Sequence, residues 1–427
     1  MKKKWYRLDT AALIFPAIKQ HNWNNLFRVS ATLTEDVDPS VLQTAVINLM
    51  PRFPSFYVRL RRGLFWNYLE QLDQPPVVRE DYAYPLTFMG SREMKKCCLR
   101  VLYYKNRIAA EFFHSVSDGT GGSIYLKTLV GEYLRIKHGL EIDYDQNVLD
   151  PGDKPKVYEL EDSFSKNAGK VAGRELGRRA YRLSGTPEPG DYKHLITAVT
   201  DAEVLHSKAK EYGGTVTAFL AAVMLETIIE MQQSRVPSGR EKPVRITIPV
   251  NMRRLFDSHT LRNFVLTLNL GVDPRMGPYS LQELVRLMTN QLALKATKQN
   301  MAAEIASNTG LQKSLLIRMT PLTLKQFVMR IGYSLYGEQL GSINISNMGV
   351  VDCPSSVKDM IERIEFIIGP QQSYPNNCSV ATFSGRTYIN MIRRIKESEL
   401  EQIFLSKLVR LGIPVSVESN DAGGNEI

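Results

Sequence analysis

Apolar residues recur along this chain with two distinct periods. From Cys97 to Tyr104 and from Arg107 to His114 they alternate, on either side of the short turn Lys105-Asn106. Two such runs around a polar turn predict a β-hairpin. Ile108, Ala110, Phe112 and His114 then share one face of its second strand, because successive side chains point to opposite faces. From Thr120 to His138 the period changes: Tyr125, Leu126, Leu129, Val130, Tyr133 and Leu134 follow helical spacing. Asp38-Pro39-Ser40 opens a helix over Val41 to Leu49. Thr215 to Met231 is apolar nearly all round and predicts a buried helix. Further helices are expected over Leu281 to Thr297 and Ser398 to Leu411. Strands are expected over Lys193 to Val199, Pro243 to Val250, Phe264 to Val272, Ser342 to Ile345, Glu365 to Ile368 and Thr387 to Ile392.

Strand-like and helix-like segments that alternate through most of a chain argue for a mixed α/β class. No internal repeat of 20–50 residues is visible. Residues 145–192 break the pattern with Pro151, Pro155, Pro187 and Pro189, six glycines and a basic run. They read as a long connection, with at most one short helix, between two lobes. The expected units are 1–190 and 191–427. The tail from Ser416 is polar and Gly-rich and is expected to be disordered.

Length and composition narrow the picture. With 427 residues, each lobe can bury its own core. Gly 28 and Pro 21 are near average usage, and 43% of residues are apolar, which excludes collagen-like and disordered classes. Four cysteines, none in a C-x-x-C pair, support neither a disulfide framework nor a zinc site. They fit a reducing, cytoplasmic compartment. Met1-Lys2-Lys3-Lys4 is followed by no apolar core, so no signal peptide is expected, and no membrane span is expected either. Lys+Arg 54 against Asp+Glu 44 gives +10, which suits nucleic acid, anionic lipid or a phosphate-bearing co-substrate. The excess is densest at Lys2–Lys4, Arg59–Arg62 and Lys170–Arg182. A solvated face explains such runs as well. No helix-turn-helix, zinc-finger or RNA-binding signature accompanies the charge, so nucleic acid is not an expected partner.

The segment with chemical content is Phe113-His114-Ser115-Val116-Ser117-Asp118-Gly119. An imidazole at a strand end can act as general base near neutral pH. Asp118 is placed either to fix the turn or to cap the helix that follows. Gly119 tolerates backbone angles that other residues do not. On spacing alone H-x-x-x-D is a weak signal, and a lone histidine at a strand end is more often structural. No P-loop, G-x-S-x-G or H-E-x-x-H motif is present, and Gly119-Thr120-Gly121-Gly122 is not a dinucleotide fingerprint.

This segment resembles the H-H-x-x-x-D-G motif of the chloramphenicol acetyltransferase-like superfamily, which includes peptide-synthetase condensation domains, plant BAHD acyltransferases and bacterial alcohol acetyltransferases. The likeness continues through Tyr6-Arg7-Leu8-Asp9, Gly214 to Ala218, Ile248 to Arg253 with Asn263-Phe264, Ser346-Asn347-Met348-Gly349 and Phe383-Ser384-Gly385-Arg386. Two positions depart from the family: Phe113 replaces the first histidine, and no D-F-G-W-G motif appears. The resemblance therefore points to the alcohol acetyltransferase branch. It implies two lobes with mostly antiparallel sheets flanked by helices, and a tunnel between them. It implies an acyltransferase with His114 as general base and Gly119 admitting substrate to the backbone. Asp118 would pair with Arg253, or failing that Arg254. Ser346 and Asn347 are the candidates for binding the oxyanion, although both could merely end a strand. The implied co-substrate is acyl-CoA such as acetyl-CoA, with no permanently bound cofactor and no metal. The acceptor would be a small alcohol or amine and the protein a monomer. Two alternatives stand beside this: a condensation-type enzyme taking its acyl group from an acyl carrier protein, and a catalytically silent binding module of the same shape.

Overall fold

The computed structural model describes residues 4–18, 25–173, 177–190, 192–313, 315–336, 339–371 and 374–421. Lys2, Lys3, part of the 170–182 basic run and residues 422–427 of the tail lie outside them. The fold is a mixed α/β architecture with two main sheets and two hydrophobic cores.

The first sheet runs in the order Ile361–Ile368, Leu26–Leu33, Arg107–Phe113, Leu99–Tyr104 and Arg79–Glu80. It is antiparallel apart from its last pair. The predicted hairpin is its centre, with Leu99 opposite Phe112 and Tyr104 opposite Arg107. The helix Gly119–His138 covers one face and buries Tyr125, Leu126, Leu129, Val130, Tyr133 and Leu134. Asp118 caps its start, and Gly139, at φ 69°, ends it in the left-handed region that glycine adopts without strain. A small antiparallel sheet, Trp5–Arg7, Asn67–Gln71 and Val58–Arg62, lies alongside.

The second sheet has seven strands, in the order Val265–Val272, Val244–Asn251, Ile343–Val350, Asn376–Phe383, Arg386–Arg393, His194–Asp201 and Ser416–Ser419. Only Ile343–Val350 runs parallel to its neighbours. The helix Val216–Arg235 packs against this sheet and the helices Leu281–Lys295 and Glu399–Arg410. Among the described residues it is the one helix long and apolar enough to cross a membrane, yet 67% of that stretch is buried inside the fold. Its all-round apolarity is that of a core helix.

Three features differ from the sequence reading. The tail is ordered at Ser416–Ser419, where its backbone pairs with the otherwise open edge of His194–Asp201. Three helices that periodicity did not reveal, Lys298–Lys313, Leu315–Met319 and Leu322–Tyr336, precede the strand Ile343–Val350. The strand Ile361–Ile368, although it follows a strand of the second sheet in sequence, joins the first sheet beside Leu26–Leu33. The described residues of 145–192 hold one four-residue helix, Ser163–Lys166, and a 3-10 turn, Val157–Leu160.

Candidate active site

His114 follows the hairpin strand, and its backbone N–H extends the ladder by one bond, donating to Asn25 O at 2.9 Å. The strand thus delivers the imidazole to a cavity of about 860 Å3 lying between the two sheets. Leu26 and Phe27 line it from the first, and Val265 to Asn269 from the edge strand of the second.

The ring is held on several sides. Phe15 stacks on it, with centroids 4.7 Å apart, and Phe27 meets it edge-on at 5.2 Å. Nδ1 lies 2.9 Å from Oδ1 of Asn263. The Asn263 amide is oriented by its other end, because Nδ2 donates to Oδ2 of Asp9 at 3.2 Å. A carboxylate can only accept, so the amide turns its oxygen toward the imidazole. That oxygen accepts Nδ1–H and leaves the lone pair on Nε2. Asp9 is itself fixed by the backbone N–H of Ala12 at 2.7 Å.

Burial beside two aromatic rings lowers the His114 pKa from its ordinary value. The charge of Asp118, the ring's own backbone carbonyl and Asn263 oppose this in part. Burial also raises the Asp9 carboxyl to about 6, because Arg262, 3.7 Å away, offsets it only partly.

Asp118 faces away from the ring and binds the lobes together. It accepts from the N–H groups of Thr120 and Gly121 at the helix start. It also takes both Nη groups of Arg253, at 2.9 and 3.1 Å, and the N–H of Phe264 at 2.8 Å. Arg253 is buried and uses its remaining N–H groups on the carbonyls of Thr260 and Arg262 and on Oδ1 of Asn251. Arg254 is exposed, so the expected pairing falls on Arg253. Ser117 adds a bond to Leu261 O at 2.6 Å. The contact is so close that a Cβ on Gly121 would lie 2.1 Å from the Ser117 hydroxyl and 2.3 Å from Leu261 O. Gly119 is less tightly enclosed, with a Cβ there meeting the Phe366 ring at 3.1 Å.

Ser346 and Asn347 lie on Ile343–Val350, outside the cavity lining. The Asn347 side chain is committed elsewhere: Nδ2 donates to Thr217 Oγ1 at 3.0 Å and Oδ1 accepts from Gly349 N–H at 2.8 Å. It braces the strand against the start of the core helix, so the second reading of this residue, a structural one, fits the geometry. Sequence reasoning assigned no role to Asp9 or Asn263, although both stand in segments that carried the resemblance. Phe113 fills the hydrophobic core where the family motif has its first histidine.

No protein-family model and no curated protein matches the chain. Solved structures do. TRI101 of F. graminearum, complexed with coenzyme A and T-2 mycotoxin, superposes with a TM-score of 0.64 at 10% identity, over 97% of this chain and 99% of the other. Polyketide synthase associated protein 5 from Mycobacterium tuberculosis gives 0.61 at 15% identity, over 94% and 96%. The epimerization domain from the third module of tyrocidine synthetase B gives 0.58 at 11%, over 96% of each chain. The chain has the chloramphenicol acetyltransferase-like fold. The cavity between the sheets, with His114 on its wall, is the candidate active site by its own geometry. Lys193, Arg245 and Lys325 add cationic groups to the same lining. All four cysteines are buried and form no disulfide, and no His/Cys/Asp/Glu cluster suited to a metal occurs among the described residues.

Proposed function

We propose that this chain is an acyltransferase that moves an acyl group from acyl-CoA to a hydroxyl or amine acceptor. The observation that carries the reading is the Asp9–Asn263–His114 chain of hydrogen bonds on the wall of the interlobe cavity. It fixes the ring with its proton on Nδ1 and its basic position on Nε2, while burial holds the imidazole below its ordinary pKa.

His114 then acts as general base. Nε2 takes the acceptor proton as the acceptor oxygen or nitrogen attacks the thioester carbonyl carbon. The tetrahedral intermediate collapses, the C–S bond breaks, and the imidazolium returns its proton to the departing thiolate. No acyl-enzyme is required, because a cavity of this size can hold both reactants side by side. Asp118 and Arg253 keep the lobes, and hence the cavity walls, in register. Lys193, Arg245 and Lys325 suit the pyrophosphate and 3′-phosphate of coenzyme A. TRI101, with a similar fold, is complexed with coenzyme A and T-2 mycotoxin, which supports the donor class.

The test is a mass-spectrometric screen of acyl-CoAs against mixed alcohols and amines, with His114→Ala as control. Product that depends on His114 and on CoA thioesters supports the reading. Turnover only with a loaded carrier protein would make the chain a condensation-type enzyme. Unchanged turnover in His114→Ala would remove the base.

A further inference from the structure

The helix Leu322–Tyr336 covers one side of the cavity and, among the described residues, leaves its other face exposed. Leu324, Phe327, Val328 and Ile331, at successive helical spacings, are 54%, 61%, 59% and 45% exposed. The tip of the hairpin Val58–Arg62/Asn67–Gln71 adds Leu64, 73% exposed, and Phe65, 39% exposed. Helix and tip are joined: Leu322 N–H donates to Leu64 O at 3.0 Å, and Lys325 Nζ donates to Phe65 O at 2.9 Å while lying over the Trp66 ring. Apolar side chains of this size gathered on one exposed face mark a binding surface rather than ordinary surface composition.

The charge around this face is one-sided. From Ile305 to Gly337 the sequence holds no Asp or Glu, but it holds Lys313, Arg318, Lys325 and Arg330. Arg61 and Arg62 immediately precede the hairpin tip. The one acid on the adjoining strand, Glu70, is neutralised by Arg59 and Arg61, at 2.7 and 2.6 Å. An apolar helical face flanked by arginines is the pattern of a helix lying in a lipid–water interface. A face built for a second copy of this chain would need acidic groups opposite those arginines, and the patch supplies none.

We propose that this face docks the protein reversibly on anionic bilayers, with Leu64, Phe65, Leu324, Phe327 and Ile331 entering the interface and Arg62, Arg318 and Arg330 meeting lipid phosphates. Val328 belongs to the exposed face and also lines the cavity, so the docked face and the cavity share a rim. An amphiphile leaving the bilayer would reach His114 without crossing bulk water. The docking itself does not depend on the acyl-transfer reading.

The experiment is co-sedimentation of the full chain with vesicles of phosphatidylcholine alone and of phosphatidylcholine with about 30% phosphatidylglycerol, with sedimentation-velocity runs in parallel. The wild-type chain should bind the anionic vesicles at least about tenfold more tightly than the neutral ones, and raised salt should weaken that binding. Leu64→Ser/Phe327→Ser, neither of which lines the cavity, should lose about tenfold or more, with unchanged circular dichroism and thermal unfolding. Arg62→Glu/Arg318→Glu should abolish the preference for anionic lipid. Equal binding of wild type and the serine variant would overturn the proposal. So would self-association that the serine variant abolishes in a chain that ignores vesicles, or capture of an acidic carrier protein in place of lipid.

Discussion

Asp118 and Asp9 are both buried near the His114 loop, one at the start of a long helix and the other just beyond the first strand. Asp118 accepts five hydrogen bonds, two of them from a guanidinium that reaches across from the other lobe. Asp9 accepts from one backbone N–H and one amide side chain, and its arginine stands 3.7 Å away. Full satisfaction makes a carboxylate a fixed joint. Sparse satisfaction leaves the other close enough to neutral that its titration falls in an ordinary pH range, at about 6. One residue type therefore serves two purposes here, and its donor set decides which.

Replacing His114 itself should have the largest effect. His114→Ala should lower kcat by about 10²–10⁴-fold with the fold intact, measured by product formation and circular dichroism. In the wild-type chain kcat/KM should fall on the acid side with an apparent pKa below the ordinary 6.5, because burial favours the neutral ring. Asp118→Ala comes next. It strands Arg253 as a buried unpaired charge, which costs about 3–5 kcal/mol and should appear as a large drop in Tm.

Asp9→Asn sharpens the contrast. An amide at position 9 cannot accept from both Ala12 N–H and Asn263 Nδ2, so Asn263 flips and offers its NH₂ to the imidazole. The wrong tautomer should reduce kcat roughly tenfold or more, with KM little changed. The smallest effect is on stability against pH. A carboxyl raised from 3.8 to about 6 binds more protons folded than unfolded in that window, so its contribution falls as pH rises through it. The Tm of the wild-type chain should decline relative to Asp9→Asn between those pH values and run parallel above them.

Much of this site is legible in sequence where its parts are close together. His114, Asp118 and Gly119 sit within one turn, and the register of the hairpin follows from alternation alone. Arg253 could be paired with Asp118 only through the resemblance, since 135 residues separate them. The role of Asp9 was invisible for a similar reason. Its partner Asn263 is 254 positions away, and an aspartate after a short strand carries no local signal. Asn347 shows the converse: its position in a shared motif left chemistry and a structural role both open, and only the structure shows its side chain bonded to Thr217 and Gly349. Ser416–Ser419 escaped detection because edge pairing is made by backbone groups, which polar composition does not reveal. The helices between 298 and 336 escaped because one face of Leu322–Tyr336 stays exposed, so its apolar positions did not sort into an inside and an outside.

The strand Ile361–Ile368 ties the two halves together in a way that chain order conceals. Residues 1–190 made alone would present the outer edge of Leu26–Leu33 with no neighbour, an open template for unintended pairing between molecules. Co-produced with residues 191–427, the same fragment should be rescued by strand donation. A chain split at the connection should therefore yield two pieces that fold only together.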